Sequence, residues 1–210
     1  MRENDKHQFA AILFADIAGY TALMQNNEAQ ALIKLKNFKL ILEAKVPINK
    51  GQIIQFYGDG CLVVFKDSLA ALTCAIDLQK AFSREEDIPV RIGLHEGEVV
   101  FRDENVFGHA VNIASRVESM GIAGAVLMSS NFRDSIKNNP TFQLAWLGKF
   151  NLKNVSDPMS IYALTNEGFP IPKQSKIAGE IIKMNSNQKQ KKYDYLYWLI
   201  PAIIAIGLGG

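Results

Sequence analysis

The chain alternates between short apolar runs of strand length and longer stretches in which apolar residues return every three or four positions. Its first run, Phe9-Ala10-Ala11-Ile12-Leu13-Phe14-Ala15, predicts a buried strand that ends at Asp16. From Thr21 to Lys45, Leu23, Met24, Ala31, Leu32, Leu35, Phe38, Ile41 and Leu42 recur at helical spacing, predicting one long amphipathic helix that Pro47 ends. Gly51 to Tyr57 and Cys61 to Phe65 read as two strands joined by the tight turn Gly58-Asp59-Gly60. Ser68 is expected to cap a helix running to about Phe82, and Val90 to Phe101 reads as a strand interrupted at Gly93 and Gly97, where close backbone packing or a bulge is expected. Phe107 to Ser119 is read as helical, Ala125 to Met128 as a strand, Ser130 to Ile136 as a helix, and Phe142 to Leu164 as an antiparallel pair turning near Ser156-Asp157-Pro158.

Strand, helix, two strands, helix, strand is the order of a split βαβ unit. The expected fold is therefore α+β, a ferredoxin-like core with helices on one face of a mainly antiparallel sheet. In that layout the end of the first strand meets the hairpin tip. Asp16 and Asp59, far apart in sequence, come to one edge.

Composition narrows the setting. The 210 residues are 48% apolar, enough for one domain with some chain to spare, and the net charge of +2 argues against a nucleic-acid partner. Cys61 and Cys74 sit in apolar stretches without metal-ligand spacing or a disulfide framework, which points to a reducing compartment, and the first residues lack the apolar core of a secretory signal. Three regions are expected: a folded domain over 1–165, a polar and basic linker over 166–192, and an apolar tail over 193–210. The tail follows Lys189-Gln190-Lys191-Lys192 and opens with an aromatic cluster, so a C-terminal membrane segment is expected, with the folded domain on the cytoplasmic side. It is shorter than the roughly 20 apolar residues of a full crossing.

Several side chains carry candidate chemistry. A carboxylate at the end of a buried strand costs several kcal/mol unless something pairs it, and a divalent cation would pair Asp16. The bland alternative is a solvated strand-turn-helix corner. Gly19 permits a positive φ, and Thr21 is a candidate N-cap of a helix whose open N–H groups suit phosphate. Taken alone, Asp59 is ordinary turn chemistry. His95, among apolar neighbours, is read as a hydrogen-bonded core histidine. Asn112 and Arg116, four positions apart, share one helix face and can address one phosphoryl group, unless Arg116 pairs with a local acid such as Glu118 or solvates the surface. No P-loop lysine motif occurs, which argues against a Walker-type ATPase.

Three blocks, Phe14-Ala15-Asp16-Ile17-Ala18-Gly19-Tyr20-Thr21, Tyr57-Gly58-Asp59-Gly60 and Gly108-His109-Ala110-Val111-Asn112-Ile113-Ala114-Ser115-Arg116, together with the weaker Arg91-Ile92-Gly93-Leu94-His95-Glu96-Gly97, resemble the class III nucleotidyl cyclase catalytic domain. The resemblance runs from about Gln8 to Ala163. It implies a head-to-tail homodimer with sites at the interface, two Mg²⁺ or Mn²⁺ ions on Asp16, Asp59 and the carbonyl of Ile17, and a phosphate-cradling turn at Ala18, Gly19, Tyr20 and Thr21. Asn112 and Arg116 are implied as the ribose-orienting and transition-state-stabilising pair, lent by the other protomer, and Lys153 is either a further polyphosphate contact or a solvated strand-end lysine. The implied reaction is attack of the ribose 3′-hydroxyl on the α-phosphate with loss of pyrophosphate.

The base-selecting positions depart from the family. Adenylyl cyclases commonly carry Lys with Asp or Thr there, and guanylyl cyclases Glu with Cys, whereas this chain has Gln55 and Asn105. Glu98 stands where some members carry a phosphate-binding Arg. Cyclisation of ATP is the default expectation. Cyclisation of GTP or a pyrimidine triphosphate, and a catalytically silent nucleotide-binding dimerisation module, are the alternatives.

Overall fold

The computed structural model describes residues 6–152, 154–175 and 177. Strand β1 (Lys6–Ile17) is central, and around it an eight-stranded sheet is ordered β2-β3-β1-β4-β6-β8-β7, with β5 on the edge of β4. The other strands are β2 (Gln52–Tyr57), β3 (Gly60–Phe65), β4 (Val90–Arg102), β5 (Asn105–Phe107), β6 (Val126–Ser129), β7 (Leu144–Phe150) and β8 (Met159–Leu164). Only β4 and β6 pair in parallel, so the split βαβ order and the mainly antiparallel sheet are as expected.

The helices are α1 (Tyr20–Asn26), α2 (Glu28–Ile48), α3 (Ser68–Ala81), α4 (His109–Ser119) and α5 (Ser130–Ile136), with one π-helical turn at Phe82–Glu86. They do not lie on one face. Alternation along β1 sends Ala11, Leu13, Ala15 and Ile17 into a core with Phe38 and Leu42 of α2 and Leu72 and Leu78 of α3. Ala10 and Ile12 face the other way, against Ala110 and Ala114 of α4. Helical periodicity shows that each helix has an apolar face but not which side of the sheet receives it.

Local chemistry corrects four boundaries. The single helix expected from Thr21 to Lys45 is two, because Asn27 breaks the backbone at φ −156°, ψ 83° and accepts from Gln30 N at 3.1 Å to start α2. Pro47 lies inside the last turn, and Asn49 is the C-cap. The cap of α3 is Asp67, whose carboxylate accepts from Ala70 N at 2.7 Å, and Ser68 is the first helical residue. Gly19, at φ 78°, and not Thr21, is the N-cap of α1.

Strand β4 is continuous through both glycines, and the reason they are glycines is α4. A Cβ on Gly93 would stand 2.1 Å from the Glu118 backbone nitrogen, and one on Gly97 would stand 2.9 Å from Ala110 Cβ. The helix rests directly on the strand.

Among the described residues no helix is long and apolar enough to cross a membrane. The described architecture thus contains no membrane span, and 193–210, where a membrane segment was expected, lie outside the described residues.

Candidate active site

The turn between β2 and β3 has two residues, with Tyr57 paired to Gly60 across it. Gly58 supplies the positive φ of 61° and Asp59 follows at the tip. On the neighbouring strand Asp16 pairs with Gly60, and Ile17 N donates to the Asp59 carbonyl at 3.2 Å. Asp16 and Asp59 thus lie at one edge of the sheet, close enough that the Asp59 charge pushes the Asp16 pKa up.

Asp16 is on the α4 face, and so is its cross-strand partner Arg91. The Arg91 guanidinium donates to Asp16 Oδ2 twice, from Nε at 3.1 Å and Nη2 at 2.8 Å. Burial is the main cause that raises the Asp16 pKa, and Arg91 opposes it. The second neighbour of Arg91 is Glu118, whose Oε1 lies 2.5 Å from Nε. Only 5% exposed, Glu118 has its carboxyl pushed up to about 8, chiefly by burial. From sequence, Glu118 is only a candidate local partner for Arg116 and Arg91 only part of a weak motif block. The available signal was a charged residue at the head of the alternation Arg91, Gly93, His95, Gly97 on an otherwise apolar strand.

The turn after β1 is partly committed. Ala18 N donates to Pro89 O at 2.7 Å, so its N–H is taken. Gly19 caps α1 with no side-chain hydrogen bond, and Tyr20 and Thr21 begin that helix, where N–H groups have no intrahelical partner. A β-bulge between Ile53 and Gln55 brings Gln55 opposite Leu62, on the face shared by Asp16, Phe14 and Tyr57. Asn105 is exposed on β5, donating to Asp103 O at 3.4 Å. Lys153 lies outside the described residues.

Asn112 is exposed and Arg116 half-buried on α4, whose inward face is taken by Ala110, Ile113, Ala114, Val117 and Glu118. Their shared face turns away from the sheet that carries Asp16. Glu118, the local acid offered as an alternative partner for Arg116, points inward to Arg91. His95 is the core histidine expected, with Nδ1 2.7 Å from Ser129 Oγ, and Glu98 is bonded to His7 at 2.9 Å. Cys61 and Cys74 are buried and unpaired to each other, their thiols pushed up to about 12 by burial.

The donor set fits a hard divalent cation. Two carboxylates lie at one edge within electrostatic reach of each other, the guanidinium occupies only one oxygen of Asp16, and oxygen ligands from one or two acids with the rest from water and phosphate are what Mg²⁺ takes. Among the described residues no three His, Cys, Asp or Glu side chains gather around one point.

A mainly antiparallel sheet with an acidic strand end beside an acidic hairpin tip defines a class, and the sequence profile of the Adenylate and Guanylate cyclase catalytic domain matches residues 3–166. The chain belongs to that family. An adenylate cyclase of Streptomyces griseus is 32% identical over 123 residues, 58% of this chain and 31% of that protein. Among solved structures, the Adenylate/Guanylate Cyclase/Hydrolase from Silicibacter pomeroyi superposes with a TM-score of 0.72 at 33% identity, covering 78% of this chain and 100% of the other. The adenylyl cyclase CyaB from P. aeruginosa gives 0.68 at 26% identity, covering 79% and 99%. The chain spans from 29% to 40% of the length of the curated relatives it matches.

Proposed function

We propose that this chain is a metal-dependent nucleotidyl cyclase that converts a nucleoside triphosphate, ATP by default, to the 3′,5′-cyclic nucleotide and pyrophosphate. The observation that carries the reading is the meeting of Asp16 and Asp59 at one edge, pinned by the Ile17 to Asp59 backbone bond. Asp16, Asp59 and the Ile17 carbonyl would hold two Mg²⁺ or Mn²⁺ ions, whose charge would activate the 3′-hydroxyl and neutralise the leaving group.

The chain's own residues do the positioning. Gly19, Tyr20 and Thr21 present N–H groups to the phosphates at the start of α1, while Ala18 anchors the turn on Pro89. Asn112 orients the ribose and Arg116 meets the charge that develops on the α-phosphoryl group. Because both sit on the outward side of α4, they serve the site of a second copy, which is the support for a head-to-tail homodimer. The 3′-oxygen bonds to the α-phosphorus, the bond to the bridging oxygen breaks, pyrophosphate carries that electron pair away, and the 3′-hydroxyl proton passes to water. Catalysis on this account is positioning and electrostatics.

The adenylate cyclase names of the relatives favour ATP. GTP is the second reading, because Gln55 is exposed on the site's face and its amide offers both a donor and an acceptor to a base edge. Purified protein given ATP, GTP, CTP and UTP in turn with Mn²⁺ or Mg²⁺ tests both. Cyclic product and pyrophosphate from ATP is the expected result. Product from GTP alone reassigns the base, and tight nucleotide binding with no product from any base means a silent module.

A further inference from the structure

We infer that Glu118 and Arg91 form a buried bracket that sets the Asp16 carboxylate for its cation, an inference that rests on the cyclase reading. Both guanidinium bonds land on Oδ2 of Asp16. Oδ1 is left toward the hairpin, 3.4 Å from where a Gly60 Cβ would stand, on the side that carries Asp59. One oxygen is used for orientation and the other is presented.

A guanidinium can orient a carboxylate only if it is itself fixed. Arg91 extends from β4, and Glu118 Oε1 reaches it from the α4 side. Oε1 is buried and closely approached by Arg91. Glu118 Oε2 accepts from Ser119 Oγ at 3.2 Å. The backbone under Glu118 is seated on Gly93, with no room for a Cβ between them. A continuous set of contacts therefore runs from the β4 floor through the last turn of α4 and the Glu118 carboxyl to Arg91 and Asp16.

Stability alone does not account for such a group. Replacing a whole buried ion pair by well-packed apolar residues is often neutral or stabilising, while removing one partner alone is costly, so the retention of this pair suits a positioning role better than a stabilising one. Arginine is required for the same reason, because its planar fork addresses two acids at once while a lysine presents a single point charge. Residues that orient a metal ligand from behind are worth about 10–100-fold in metal affinity or activity. Arg91 and Glu118 are positioning residues, since neither touches substrate.

The test is Mn²⁺ binding to the full chain, with the metal alone, read as loss of the free-ion electron paramagnetic resonance signal, with circular dichroism as the check on folding. Glu118→Ala is expected to weaken Mn²⁺ binding about 10-fold or more. Glu118→Gln keeps an oxygen facing Arg91 and is expected to bind close to wild type, whereas Asp16→Asn binds no Mn²⁺ in the same range. If Glu118→Ala does not fold, Arg91→Lys carries the same expected loss. The bracket is overturned if folded Glu118→Ala or Arg91→Lys binds like wild type while Asp16→Asn does not, or if Glu118→Gln falls as far as Glu118→Ala. Wild-type binding by Asp16→Asn overturns the metal site beneath it instead.

Discussion

Replacing Gly93 by alanine introduces one methyl group at the point where β4 carries α4. The new Cβ would lie 2.1 Å from Glu118 N, 2.4 Å from its Cα and 2.6 Å from its Cβ. Two of those three atoms are backbone, so no side-chain rotation relieves the clash, and the last turn of α4 must retreat by about 1 Å in an interior packed at crystal-like density. Overpacking of this kind costs about 1–3 kcal/mol and occasionally more, and a contact this short with backbone belongs at the upper end. In a chain of this length about 3 kcal/mol lowers the melting temperature by roughly 6–12 °C. Gly97→Ala is the internal comparison, because its Cβ would meet Ala110 Cβ at the milder distance of 2.9 Å, and a smaller loss is expected. Thermal unfolding followed by circular dichroism measures both. Equal melting of Gly93→Ala and wild type, or a larger loss for Gly97→Ala, would refute the seating of α4 on these glycines.

The remaining expectations concern a cap, a buried imidazole and the shared site. Asp67→Ala removes the acceptor for Ala70 N and should cost about 1 kcal/mol of stability, read as a lowered urea midpoint; an unchanged midpoint would mean that the cap contributes nothing. Burial and His109 push the His95 pKa down to about 4, so below about 6.5 the unfolded chain takes up a proton that the folded chain refuses. Stability from this residue is complete above that pH and is lost as pH falls toward 4, up to about 3 kcal/mol, so His95→Gln should flatten the melting-temperature profile between pH 7 and 5, and a profile as steep as wild type would exclude it. Asp59→Ala and Arg116→Ala, each inactive alone, should recover about one working site per mixed dimer. Mixtures as inactive as the parents would count against a site shared between protomers.

The elements that hold the two acids were legible because their signals are local. Apolar runs of strand length flank Gly58-Asp59-Gly60, and a two-residue turn leaves little choice of register, so the meeting of Asp16 and Asp59 followed from pattern and topology. Where the reading failed, a single side chain or a choice of side decided the outcome. Apolar residues resume at helical spacing beyond the polar run Gln25 to Glu28, and the non-helical backbone of Asn27, whose side chain accepts from Gln30 N, divides α1 from α2. Asp67 and Ser68 are both good caps, and the backbone selected the first. The glycine alternation on β4 announced close packing but not its partner, which is why α4 was placed on the wrong face and the contact of Glu118 with Arg91 was not foreseen.

The central claim is that Asp16 and Asp59 share a cation. Crystals soaked with Mn²⁺ and a triphosphate that cannot cyclise answer it through the anomalous signal of manganese. The account predicts a peak at oxygen-ligand distance, about 2.0–2.4 Å, from both Asp16 Oδ1 and an Asp59 carboxylate oxygen. A fully occupied peak bound elsewhere, with these two carboxylates out of reach of it, would contradict the account.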